Sequence, residues 1–173
     1  MRTDRPVTQH EIKVPEGTVL VSRTDLRGII TYANENFANI SGYSRDELMG
    51  KGHNLVRHPD MPSAAFKDLW QTVRAGHAWR GIVKNRAKNG DHYWVEAFVT
   101  PFHDNGQLVG YQSIRQAPTR EQVDSAVRLY ADINAGRAHM AERSTSWLER
   151  ISFTARSSAI GVVMLVLTLG AGL

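Results

Sequence analysis

From Trp79 onward the apolar side chains recur at every second position, where the preceding stretch has them at every third or fourth. This change of period constrains the fold more tightly than any other feature of the chain, because a pattern of period two buries one face of a strand and cannot bury one face of a helix. Residues 79–87, 92–102 and 108–115 read as three strands. Asn89-Gly90 and Asp104-Asn105-Gly106 separate them, and both contain residues that tolerate the positive φ of tight antiparallel turns. The second half of the chain is therefore expected to be an antiparallel meander.

The first half must cover it. Residues 18–22 and 29–32 are β-prone and flank a turn at 25–28, giving an opening hairpin. Ala33, Phe37 and Ile40 have helical spacing, and Gly42 stops that run. Ser44 with Glu47 three residues on forms a capping box. In the next helix Phe66, Leu69, Trp70 and Val73 share a face. Asp60 or Ser63 is its expected N-cap, Pro62 suits its first turn, and Gly76 closes it. Two strands, several short helices and three strands make an α+β fold, a five-stranded antiparallel sheet with helices on one face. The folded region is expected to begin near Gly17, after a polar N-terminal cap at 1–16. Beyond Pro118, Val123, Val127, Tyr130 and Ile133 predict an amphipathic helix ending near Gly136, more a connector or dimer contact than a core element.

The C-terminus differs in kind. Arg156 is the last charged residue, and 157–173 offers only apolar side chains, glycine, Ser and Thr. As a helix it spans roughly 25 Å, slightly less than the ~30 Å of a bilayer's hydrocarbon. It reads as the start of a transmembrane helix that continues beyond Leu173. The region at 118–156 then becomes a connector and basic juxtamembrane flank, and Arg137, Arg143, Arg150 and Arg156 orient the N-terminal domain inward. A polar N-terminus without a signal-peptide core fits a first domain that stays in the cytoplasm. The formal charge of +4 is spread along the chain without a basic stripe, which argues against nucleic acid. With no cysteine, disulfides, thiolate metal sites and cysteine nucleophiles are excluded. No phosphate-binding glycine motif and no nucleophile–base set appears, so an enzyme is not expected.

The third strand is the most informative for chemistry. Alternation puts Trp79, Gly81, Val83 and Asn85 inward and Arg80, Ile82, Lys84 and Arg86 toward solvent. A buried Asn85 amide needs partners for donors and acceptors alike, from the strand itself or from a ligand with a mixed edge such as a flavin pyrimidine. Arg57 and His58 precede a helix N-terminus, a position suited to an anion. Asp60 serves there as a cap or a contact. Trp70 and Trp79 either pack in the core or stack on a planar ring. In the next strand both faces lean apolar, so both are expected to be covered.

The stretches Asn36-Phe37 to Gly42-Tyr43, Val56 to Pro62, and Gly81 to Arg86 with Lys88-Asn89-Gly90-Asp91 resemble PAS domains, more narrowly those of the aerotaxis-receptor family of chemotaxis transducers. The resemblance implies FAD held non-covalently as a redox or oxygen sensor. It also implies a membrane anchor, a homodimer, and a downstream HAMP and kinase-control region. Flavin contacts carried over from the family fall on Arg57, His58, Asp60, Trp70 and Asn85. Light-sensing flavin PAS domains need a cysteine that this chain lacks, and Val95 stands where they carry asparagine. Gln112 matches their last-strand glutamine, which makes it an expected flavin contact that reorients on reduction. Two alternatives remain at this point: a ligand-free interaction module, and a haem sensor using His58 or His77.

Overall fold

The computed structural model describes residues 6–140. Five strands form one antiparallel sheet: β1 (Leu20–Asp25), β2 (Ile30–Ala33), β3 (Trp79–Arg86), β4 (His92–Asp104) and β5 (Gln107–Gln116), in the order β2-β1-β5-β4-β3. The meander follows from its turns. Asn105 and Gly106 both take positive φ, and Asp104 pairs with Gln107 across them. The first hairpin closes on Asp25, whose carboxylate accepts from the Arg27 and Ile29 amides at 2.8 and 2.9 Å.

Helices α1 (Glu35–Ser41), α2 (Arg45–Leu48) and α3 (Ser63–Arg74), with a 3-10 turn at His53–Val56, cover one face. Ala33 ends β2 instead of starting α1. Asn34 is the cap, accepting from Phe37 N–H at 3.0 Å and from Val21 N–H at 3.0 Å, so one amide ties helix to sheet. The Ser44–Glu47 capping box is formed as expected. The expected cap of α3 is corrected: Pro62 holds that position without a side-chain bond. Asp60 is instead drawn to Lys84 Nζ, 2.7 Å away. Trp79 Nε1 donates to Asp68 at 2.6 Å and fixes α3 against β3.

The opposite face carries α4 (Arg120–Asn134). Its Val123, Ala126 and Tyr130 are buried, so within the described residues it is a packed element of the domain. Tyr130 donates to the Ile82 carbonyl at 2.6 Å, and Asn134 to the Asp60 carbonyl at 2.8 Å. This cover overturns the expectation that Lys84 and Arg86 face solvent, for they are 9% and 6% exposed. A strand pattern gives the two faces but not whether a later helix returns to cover one.

The ordered chain also begins before Gly17. Thr8 and Ile12 amides donate to the Gly90 and His92 carbonyls at 2.9 and 2.7 Å, and Val14 is buried. The expected membrane segment lies outside the described residues. Among the described residues, no helix is long and apolar enough to cross a membrane.

Candidate functional site

Between the inner sheet face and α3 lies a cavity of about 520 Å³. Val83, Ala97 and Val99 from the sheet and Phe66 and Leu69 from α3 give it apolar walls. Trp70 closes one side, standing edge-on to Tyr111 at 5.4 Å. These residues converge because alternate positions of β3, β4 and β5 share one face, while α3 presents one stripe to them.

The polar floor is built by β1, β5 and the 3-10 turn. Arg115 is 2% exposed and lines the cavity. Its Nη2 donates to Ser22 Oγ and to His53 Nε2, each at 2.6 Å. His53 stacks on Phe37 at 5.7 Å, and the Arg115 guanidinium lies 4.6 Å over the same ring. Burial, then the Arg115 charge, pushes His53 down to about 3, so its imidazole is neutral and accepts at Nε2. Burial also pushes Arg115 down to about 10. Among the described residues, no carboxylate lines this cavity. A guanidinium buried without a counter-ion is costly, and this one keeps Nη1 buried without a partner among the described residues.

Further polar atoms are left open around the same space. Thr24 Oγ1 and Arg57 Nε are buried with no partner among the described residues. Arg57 pairs by its backbone with Asn85, donates from Nη2 to the Met61 carbonyl at 3.0 Å, and stacks 4.3 Å over Phe66. The Asn85 amide is 4% exposed, lines the cavity, and has no side-chain partner among the described residues. Unpaired buried groups of this kind cost about 1–3 kcal/mol each unless something bonds them.

The expected site residues divide. Arg57, Trp70 and Asn85 line the cavity. Trp79 does not: it lies across Gly81, where a Cβ would come within 2.4 Å of its ring, and is bound to α3. Gln112 is corrected, since Tyr111, Ser113 and Arg115 take the inner face and alternation sends Gln112 to the other. There its Oε1 accepts from Arg23 Nε at 2.8 Å. His58 and Asp60 also lie off the cavity. Arg57 has extended backbone angles, so His58 points the opposite way, edge-on to His92 at 5.8 Å. Its Nδ1 accepts from the Asp60 amide at 3.1 Å. Burial, then Lys84, pushes His58 down to about 4. His77 is exposed and likewise lines no part of the cavity, so neither imidazole considered for haem reaches it. Sequence reading missed His53, Ser22, Ser113 and Arg115. The available signal was a polar alternation in β1 and β5, Ser22-Thr24 and Ser113-Arg115.

Residues 30–115 match the model of a family described as the PAS fold. The aerotaxis receptor of Escherichia coli K12 is 51% identical over 131 residues, 76% of this chain and 26% of that receptor. A nitrogen fixation regulatory protein of Klebsiella pneumoniae is 33% identical over 104 residues, 60% of this chain and 21% of that protein. The chain thus spans about a quarter or less of the length of these relatives. A solved light-oxygen-voltage domain, from work with a flavin analogue, superposes with a TM-score of 0.55 at 18% identity, covering 68% of this chain and 87% of that one, a likeness of fold.

Proposed function

This chain belongs to the PAS family, and from that premise we propose that its cavity holds FAD non-covalently as the sensing element of an aerotaxis transducer. The observation that carries the reading is an apolar slot where, among the described residues, no carboxylate stands and Arg115 Nη1, Thr24 Oγ1 and Arg57 Nε are buried without a partner, with the Asn85 amide in the same lining. These groups fit the polar edge of a flat, electron-accepting heterocycle. When bound, a flavin supplies reversible electron uptake. Asn85 offers both donors and an acceptor to a mixed edge. Arg115, held by Ser22 and neutral His53, presents positive charge that would favour negative charge gained by the ring on electron uptake. Trp70, Leu69 and Val83 exclude water from the ring faces.

In this reading the domain turns over no substrate. It works in the cytoplasm beside the inner membrane, as part of a homodimer whose downstream HAMP and chemotaxis signalling region controls a kinase. The similarity to the aerotaxis receptor supports that context. The purified chain should be yellow, with a flavin absorption spectrum, and should release FAD on denaturation. A colourless protein that takes up no added FAD, FMN or riboflavin would favour the ligand-free interaction module.

A further inference from the structure

The chain places Asn before Gly twice, at 89–90 and 105–106, and the fold treats the two turns differently. An asparagine before glycine is prone to deamidation, because glycine has no Cβ to keep its amide nitrogen from the preceding side-chain carbonyl. At the β3–β4 turn both reacting groups are engaged. Asn89 Nδ2 donates to Asp91 Oδ2 at 2.9 Å, and Asn89 Oδ1 accepts from the Asp91 amide at 3.0 Å. Gly90 is buried, and its amide donates to the Ala87 carbonyl at 3.0 Å. The N-terminal segment closes this turn from outside. A Cβ on Gly90 would stand 2.8 Å from the Pro6 carbonyl oxygen, and the Thr8 amide donates to the Gly90 carbonyl at 2.9 Å. Thr8 Oγ1 donates to Asp91 Oδ1 at 2.5 Å, and His10 Nδ1 lies 3.0 Å from Oδ2. The β4–β5 turn has no such restraint. Asn105 at φ +47° and Gly106 at φ +79° are both exposed. Among the described residues, neither the Asn105 side chain nor the Gly106 amide has a hydrogen-bond partner.

We propose that Asn105 is a deamidation site, and that the N-terminal segment spares Asn89 by clamping Asp91 and Gly90. The Gly106 nitrogen gives up its proton to base and attacks Asn105 Cγ. The new C–N bond closes a succinimide as the Cγ–Nδ2 bond breaks, and the leaving nitrogen takes up a proton and departs as ammonia. Water then opens the ring at either carbonyl, giving aspartate or isoaspartate. Nothing is oxidised or reduced. Either product sets a new carboxylate beside Asp104. Isoaspartate also adds a methylene to the main chain of a two-residue turn whose flanking residues, Asp104 and Gln107, are paired.

The test incubates the purified chain at mildly alkaline pH and follows both sites by peptide mapping in a mass spectrometer, with and without denaturant. In the folded protein Asn105 should convert at least about tenfold faster than Asn89, whose hydrogen bonds must open first. In denaturant the two rates should converge. Asp91→Ala, and more mildly Thr8→Val, should raise conversion at Asn89 and leave Asn105 unchanged, each variant being held below its own melting transition. Conversion of Asn89 as fast as Asn105, or no conversion of Asn105 in the folded protein, would overturn the site. A preference for Asn105 that persists in denaturant would assign it to the neighbouring residues and sink the structural account. An unchanged rate at Asn89 in both variants would remove the clamp.

Discussion

The two faces of the sheet bury similar numbers of polar groups and treat them in opposite ways. On the outer face, Lys84 meets Asp60, Glu96 accepts from Arg80, Gln116 and Gln122, and Gln112 accepts from Arg23. Among the described residues, two neutral imidazoles, His58 and His92, are its exceptions, each with one buried nitrogen without a partner. On the inner face the hydrogen bonds stop short: Arg115, Arg57, Thr24 and Asn85 each keep polar capacity aimed at or beside a cavity. Satisfied polar burial holds the fold together. Unsatisfied burial beside a cavity points to a ligand, because a chain that gained nothing from those atoms would lose stability by keeping them.

The sharpest way to break this contrast is Arg115→Gln. Removing the uncompensated guanidinium should cut flavin affinity by about 2 kcal/mol, roughly thirtyfold, while the flavin-free protein melts no lower than the parent. A variant that keeps flavin, or one that melts far lower without it, would make Arg115 a structural residue. A second effect, on stability and not on binding, is expected from acid. His58 and His53 are held down to about 4 and 3 in the fold, whereas an unfolded chain protonates them near 6.5. Below about pH 6.5 the unfolded state therefore binds protons that the native state refuses, and stability falls until the folded values are reached. Denaturant titrations of His58→Gln across pH 6.5 to 4 should show a slope shallower by up to about 1.4 kcal/mol per pH unit.

Asn85→Ala should weaken FAD by about 1 kcal/mol, whereas Lys84→Ala, one residue away on the other face, should leave binding within about twofold. Equal losses would remove the distinction between faces. The smallest change belongs to Gln112→Leu. It breaks one bond to Arg23, which also rests 4.3 Å over Phe102, so flavin affinity should again stay within about twofold. A large loss would return Gln112 to the cavity.

Much of the fold was legible because its signals are local. The Asn105-Gly106 turn, the Ser44–Glu47 box and the period-two strands each depend on residues within a few positions. Asn85 was legible for the same reason: alternation alone turned it inward. Two of the misplaced site residues have one origin. His58 was read beside Arg57 at a helix N-terminus and Gln112 by likeness to other chains, whereas adjacent extended residues point to opposite sides.

By itself the sequence determined the meander, the helical cover, the absence of thiol chemistry and three cavity residues, since propensity, turn chemistry and periodicity act over short spans. Only the tertiary structure decided the floor of the cavity and the burial of the outer face. Arg115 meets Ser22 across 93 positions and His53 across 62, and Tyr130 reaches Ile82 across 48. Contacts that distant are set by how the sheet closes and where α4 returns, and no local pattern encodes them.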